Sequence, residues 1–594
     1  MKIQNKMWAL SVPALLCASI LGCSDSENDQ SANDDKTVSA AVLSRVATVP
    51  LGAEVTGVYV NDEGDLFFNV QHPADSNSEV DDNFRPYNKG TVGVVKNFNL
   101  NDLPLPFVEL PVPNNDRDKQ LVKTAYGEYQ VLGQNGDTFG GDLPEKLGNI
   151  YNLAGDTLLL DNNMPDFNGF ISTGIGEGYL FTNWEDYPGG MSRLALSKNA
   201  EGEWTVSSPM MVDFSEVKGT AANCFGSVSP WGTPLSSEEW IVNSAVDTTT
   251  DANWNNPVEA QKAGSRLQRM WQLTAPAAPN PYDYGYIVEI TNPTSTNPQP
   301  VKHFAMGRYE HENSTVMPDG KTVYLSQDDT GGVLFKFIAD TANDLSAGTL
   351  YGAKLTQDAE KNDPNETGFD VQWIELAHGE NAMIAGWIED FNGIGMNAFE
   401  DGKTNFMTVA DVEAWARGDQ KYPAQVNGGS AVTAGQDMDD RAAFLESRQA
   451  ARQKGATAEW RKLEGISINQ KRAKEAVEGV DTIAGEDVES AYVYMAIADL
   501  GKTLTDDEGD IQLDGSANGC GGIYRAELNG TYDITRIEPV IMGGAIVKVD
   551  GDKTCDTSKL AQPDNVIVLD DGRLLIGEDG VQTNNTLWMY QPAK

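Results

Sequence analysis

Met317-Pro318-Asp319-Gly320 followed by Lys321-Thr322-Val323-Tyr324-Leu325-Ser326 is a tight acidic-Gly turn feeding a β-branched and aromatic strand. The same arrangement recurs far away in the chain. Val58-Tyr59-Val60-Asn61-Asp62-Glu63-Gly64 leads into Asp65-Leu66-Phe67-Phe68-Asn69-Val70, and Val568-Leu569-Asp570-Asp571-Gly572 leads into Arg573-Leu574-Leu575-Ile576-Gly577. One hairpin repeated at distant places predicts radial repetition, an all-β fold of the β-propeller kind. A β-sandwich carries similar hairpins and stays open as the alternative, and the spacing is too irregular to count blades. One stretch departs from the pattern. Residues 405–463 are rich in helix formers, with Thr408 placed to cap a turn through Asp411 and Gly455 as a break. It reads as a helical insertion within the propeller, because strands resume directly after it.

Composition narrows the partners. The 594 residues hold 88 Asp and Glu against 43 Lys and Arg, a net charge of −45. No basic face for nucleic-acid phosphates can be assembled from that balance. The 40% hydrophobic content and 12 Trp supply a large core, while 58 Gly and 27 Pro fit many turns.

At the N-terminus Lys2 and Lys6 precede the apolar run Met7 to Leu21, which ends in Leu21-Gly22-Cys23. The run is too short to span a bilayer and reads as a lipoprotein signal over residues 1–22, with Cys23 lipidated. Residues 23–45 then form a flexible tether, and 46–594 the body. Ser24 after the Cys resembles an outer-membrane address, facing the periplasm or the surface of a Gram-negative cell. In such an oxidising compartment an odd number of remaining Cys leaves one thiol over. Cys520 and Cys555 share a loop-rich C-terminal section and are expected to pair, which leaves Cys224 needing a reason, either burial or a role as ligand.

The chain lacks H-E-x-x-H, C-x-x-C, a phosphate-binding G-x-x-x-x-G-K-[ST] loop and G-x-S-x-G, and has only four His. A His-rich zinc site is therefore improbable, and abundant carboxylate favours hard cations, calcium above all. Acids recur at like strand positions. Asp328-Asp329 ends the strand after Gly320, Glu578-Asp579 the one after Gly572, and Glu238-Glu239 the one after Gly232. In a propeller such positions surround one axis, and clustered acids stay ionised there only with cations. A solvated turn is the alternative for any one pair.

Longer blocks carry a family resemblance. Asn223-Cys224-Phe225-Gly226 with Ser229-Pro230-Trp231-Gly232-Thr233 and Ser237-Glu238-Glu239 resembles a block of the PhoX-type alkaline phosphatases. Gly307-Arg308-Tyr309-Glu310-His311-Glu312, the Tyr324 to Gly332 segment, Asp166-Phe167-Asn168-Gly169-Phe170 and Gly178 to Glu185 are similar to others. So are Pro563-Asp564-Asn565, Gly572-Arg573-Leu574 and Glu578-Asp579-Gly580. The resemblance implies a propeller, six-bladed in that family, that hydrolyses small organic phosphomonoesters as a monomer with Ca2+ and Fe3+. It implies Cys224, Glu312 and Glu464 at an iron cluster and Glu185, Glu239, Asp328, Asp564 and Glu578 on calcium, beside the acids Glu238 and Asp329. Arg461 or Lys462 would take the place of the family's phosphate-facing Arg, and Lys is a point charge rather than a bidentate fork. Trp184 stands where the family has His. Two other readings remain: a calcium-only propeller hydrolase of phytase-like, phosphodiesterase or lactonase type, and a surface propeller without activity.

Overall fold

Short runs rich in β-branched and aromatic residues between turns give this chain strands rather than helices. The main strands form six antiparallel sheets, the fourth and fifth joined at their outer strands where Phe369 pairs with Ile537, with three two-stranded sheets besides among the described residues. The computed structural model describes residues 41–96, 99–100, 103, 107–239, 262–394, 406–549 and 551–593. The first sheet runs Glu54–Val60, Leu66–Gln71, Thr91–Lys96 and Glu128–Gln134, in chain order from the inside outward. The second is Pro165–Gly174, Glu177–Trp184, Gly190–Lys198 and Trp204–Met211. The third is Asn223–Val228, Pro234–Glu238, Ile287–Thr291 and Gln299–His303. The fourth begins His311–Val316, Thr322–Gln327, Phe335–Thr341 and Asp344–Gln357, with Phe369–Glu380 added outside. The fifth is Leu463–Ser467, Tyr492–Ile497, Gly522–Glu527 and Arg536–Met542. The sixth joins Pro563–Val568, Leu574–Glu578 and Thr586–Gln591 to Val42–Thr48 from the other end of the chain.

The first strand of each sheet touches that of the next, and the sixth touches the first, so the innermost strands form a closed ring. Burial follows the ring. Phe67 and Val94 of the first sheet pack on Phe170 and Trp204 of the second, Phe181 and Met191 on Val288 and Ile290 of the third, and Leu235 and Ile287 share a cluster with Val323 and Phe335 of the fourth. Tyr324 and Leu334 meet Val493 and Met495, Tyr494 and Ile523 meet Val566 and Leu574, and Leu575 and Leu587 return to Val55 and Phe68. Six interfaces, each sealed by side chains worth about 1.5–3 kcal/mol apiece on burial, make the β-propeller that the repeated hairpin predicts. All three acidic-Gly turns connect the first and second strands of a sheet.

Two boundaries differ from the sequence reading. The strand Val42–Thr48 pairs with Thr586–Gln591, so the folded body begins within the stretch 23–45 read as tether, because closing the ring needs a strand from the N-terminal side. The signal 1–22 and Cys23 lie outside the described residues. The helical insertion expected over 405–463 holds helices Val409–Arg417, Arg441–Leu445 and Ser447–Gln453, and Thr408 and Asp411 form the expected capping box. Helix Asn381–Glu389 precedes it, missed because its N-cap residue Glu380 makes no side-chain cap bond. Strand Trp460–Arg461 already occupies its end, after Gly455 turns the chain at φ +95°. Cys520 and Cys555 form the expected disulfide, and Cys224 is the buried free thiol. No helix among the described residues is long and apolar enough to cross a membrane.

Candidate metal centre

The repeat places the chemistry. Asp166, Cys224, Glu312, Glu464 and Asp564 each stand second in the innermost strand of their sheets. The first sheet has Val55 there and offers Glu54 at its first position instead. A second tier comes from the residue directly after the second strand: His72, Glu185, Glu239, Asp328 and Asp579 in five sheets. The fifth sheet has Ala498 in that place, and its N–H bonds the carbonyl of Lys462, whose ammonium joins the group. Equivalent positions in consecutive sheets surround one axis, so residues hundreds of positions apart converge at one mouth of the ring.

The convergence is tight. Cys224 Sγ lies 3.1 Å from Glu312 Oε2 and 3.6 Å from Asp166 Oδ2. Ligand atoms of Asp166, Glu185 and Cys224 lie within 4.8 Å of one another, as do those of Glu312, Glu464 and Asp564. Lys462 Nζ sits 2.9 Å from Asp328 Oδ2 and 2.8 Å from Glu464 Oε1. Gln71 Nε2 donates to Glu185 Oε2 at 2.8 Å.

Electrostatically the arrangement is costly without cations. Burial, then the charge of neighbouring acids, pushes the carboxyls of Asp166, Glu239, Glu312 and Asp564 well above the ordinary range. Glu464 rises for the same reasons, chiefly burial and Asp328, against the pull of Lys462. Burial and Asp579 raise Glu54 to about 8. Burial opposes protonation of His72, but the hydrogen bond and charge of Glu54 outweigh it and lift its pKa to about 9. Burial and the surrounding carboxylates push the Cys224 thiol up as well. Asp166 Oδ1 and Glu312 Oε1 are buried with no hydrogen-bond partner. Orphaned carboxylate oxygens beside a thiol, facing one ammonium and one His, are the donor set of a site for hard cations with one thiolate-binding metal.

Several expected ligands are framework instead. Glu238 turns away from the axis, accepting from the N–H groups of Ala221, Gly285 and Tyr286 at 2.9–3.0 Å and pairing with Lys302 at 3.0 Å. Glu578 likewise accepts from Ala561 N, Thr586 N and Trp588 Nε1. Strand pleating gives the reason: neighbouring residues face opposite sides, so Glu239 and Asp579 take the axial places. Asp329 is engaged by Arg448 and the Thr330 N–H. Arg461 donates to Thr330 Oγ1 at 2.6 Å and pairs with Asp499 at 3.3 Å, so Lys462 is the cation delivered to the acids. Trp184 is fully buried, its indole N–H on Ser192 Oγ. The sequence reading overlooked Glu54, His72, Asp166 and Asp579 as site residues. Aligning the six hairpins on their turns would have found three of them, since His72, Asp166 and Asp579 occupy repeat positions.

The family model of the alkaline phosphatase PhoX matches residues 189–592. No curated protein matches the chain. Among solved structures, Pseudomonas fluorescens PhoX in complex with vanadate is 19% identical, with 76% of this chain and 78% of that one covered and a TM-score of 0.46. A putative 6-phosphogluconolactonase from Bacteroides fragilis is 8% identical, with 92% and 89% covered and a TM-score of 0.26. Trypanosoma rangeli sialidase is 8% identical, with 92% and 58% covered and a TM-score of 0.29. Superpositions this loose add nothing to the fold, which the sheets define themselves. The family match spans most of the chain and takes in Cys224, Glu239, Glu312, Asp328, Glu464 and Asp564. The chain belongs to the PhoX alkaline phosphatase family of metal-dependent phosphomonoesterases.

Proposed function

We propose that this chain is an exported phosphatase that releases inorganic phosphate from small organic phosphomonoesters at the axial mouth, with calcium and iron held there. The observation that carries the reading is the convergence of Cys224 with the buried carboxyls of Asp166, Glu312, Glu464 and Asp564 and the half-buried Glu185, beside a Lys462 ammonium paired with Asp328 and Glu464. Cys224, Glu312 and Glu464 would hold iron, and Glu185, Glu239, Asp328 and Asp564 calcium, with Asp166 added from the structure. When bound, such cations supply charge neutralisation for the transferring phosphoryl group and an activated oxygen nucleophile.

The chain's own groups do the rest. On ligation Cys224 would give up its proton, as would the acids whose pKa values burial has raised. With the acids so compensated, the third N–H of the Lys462 ammonium would donate to a phosphoryl oxygen as a point charge. Its contacts with Asp328 and Glu464 hold it in place. The low dielectric that raises the carboxyl pKa values strengthens every such contact.

The same reading takes residues 1–22 as a signal, Cys23 as the lipid-bearing residue and the outer membrane of a Gram-negative cell as the address, with the enzyme acting as a monomer. The disulfide Cys520–Cys555 supports an oxidising compartment. Hydrolysis of an aryl phosphomonoester by the mature chain, beside a diester and a lactone, tests the activity. Monoester turnover that stops on chelation and returns with calcium is expected. Turnover of only the diester or the lactone in metal-loaded protein would favour the calcium-only hydrolase reading.

A further inference from the structure

Where the N-terminal strand closes the ring, a cavity of about 170 Å³ is lined by Arg45 and Thr48 of that strand and by residues 582–584 and 586 of the sixth sheet's last turn and strand. Its chemistry is the reverse of the axial mouth. The wall contains Arg45 and Lys119 and no acidic side chain, in a chain with two acids for every base. Two wall atoms are buried polar groups without a partner: Thr48 Oγ1, on a residue 1% exposed, and Gln582 Nε2, on one 8% exposed. The Arg45 guanidinium is fixed, donating to Leu110 O at 3.0 Å and to Thr557 O, with its Cζ 4.5 Å from the centroid of the Trp588 ring. The acids nearest it are Glu109 and Glu578. The first accepts the Arg45 backbone N–H, and the second is already occupied by two backbone N–H groups and an indole. Lys119 makes no ion pair among the described residues; its neighbour Asp118 pairs with Lys123 instead.

An unpaired amide N–H, an unpaired hydroxyl and the basic residues Arg45 and Lys119 on the wall of one partly open cavity call for an acceptor-only anion. We propose that this cavity binds a small tetrahedral oxyanion, inorganic phosphate or sulfate, through Arg45, Lys119, Thr48 and Gln582. Such an ion binds only the closed ring, because Thr48 and Gln582 come together through the pairing of Val42–Thr48 with Thr586–Gln591. It therefore stabilises the folded chain by mass action and pins the seam between the chain's two ends.

Calorimetric titration of the metal-loaded full chain with inorganic phosphate tests this, alongside its unfolding temperature in phosphate, sulfate and chloride. The expected result is a class of sites that Lys119→Ala or Gln582→Leu weakens about tenfold or more, the loss of one charge-assisted hydrogen bond. Phosphate and sulfate should raise the unfolding temperature of the wild type and not that of these variants, while their hydrolysis rates stay unchanged. The class should persist in Glu312→Gln, which separates it from any phosphate held at the axial mouth. Phosphate binding that both seam variants leave untouched would overturn the assignment. So would chloride stabilising as well as sulfate, since water and general screening would then account for the cavity.

Discussion

Replacing Glu238 by Ala probes how the repeat divides framework from site. The carboxylate is 0% exposed and engages three backbone N–H groups, of Ala221, Gly285 and Tyr286, at 3.0, 2.9 and 3.0 Å. Its fourth partner is the Lys302 ammonium at 3.0 Å, whose side chain is 2% exposed. Each buried donor left without a partner costs about 1–3 kcal/mol, and removing one member of a buried ion pair about 3–5 kcal/mol. These overlap, because the same cavity water can serve more than one donor. Glu238→Ala should therefore lower stability by about 3–5 kcal/mol, read from the urea midpoint of tryptophan fluorescence. Glu238→Leu with Lys302→Met should lose less than either single change, since no charge is then left buried alone. The metal content of the folded fraction should match the wild type, because Glu239 and not Glu238 faces the axis. Loss of less than about 1 kcal/mol together with a missing metal ion would refute this assignment and make Glu238 a ligand.

Other expectations follow from other parts of the fold. Cys520→Ser with Cys555→Ser removes a link across 35 residues and should cost about 4 kcal/mol in the chain-entropy picture, measured by unfolding under oxidising conditions. Backbone N–H groups of Val488, Thr482 and Ile483 hold the Glu475 carboxyl down to about 2. A depressed folded pKa means the stabilisation is full above the ordinary value of 4.5 and fades as pH falls toward 2. Glu475→Gln should therefore lower the unfolding temperature at pH 7 and converge with the wild type near pH 2. Lys462→Ala should lower kcat/KM for an aryl phosphomonoester by about 10²–10³-fold, with Lys462→Arg recovering part of it; an unchanged rate would remove Lys462 from the phosphoryl contacts.

Much of the fold is legible in local sequence, because an acidic-Gly turn between alternating strands is a short-range signal that works within a dozen residues. Ring closure is not, since the pairing of Val42–Thr48 with Thr586–Gln591 joins the two ends of the chain. The same distinction governs the site. Cys224, Glu312 and Glu464 stand in recognisable blocks, and the structure brings them to one mouth. Glu238 and Glu239 look alike in sequence, yet the pleat sends one into Lys302 and the other to the axis. Register, not residue type, makes that choice, and a one-residue step reverses it. Glu54 is the hardest to foresee, because it is first in its strand where the other sheets use the second position. Lys462 illustrates a related limit: its left-handed backbone at φ +51° carries the ammonium to Asp328 and Glu464, while Arg461 beside it turns to Thr330 and Asp499.

The measurement closest to the central claim is elemental analysis of the purified full chain and of its Cys224→Ser and Glu312→Gln variants, with visible absorption recorded on the same samples. The account predicts iron and several calcium ions in the wild type, with a thiolate-to-iron absorption band. It predicts iron and the band lost in Cys224→Ser, iron reduced in Glu312→Gln, and calcium kept in both. A folded wild type without bound metal, or iron and colour unchanged in Cys224→Ser, would contradict it.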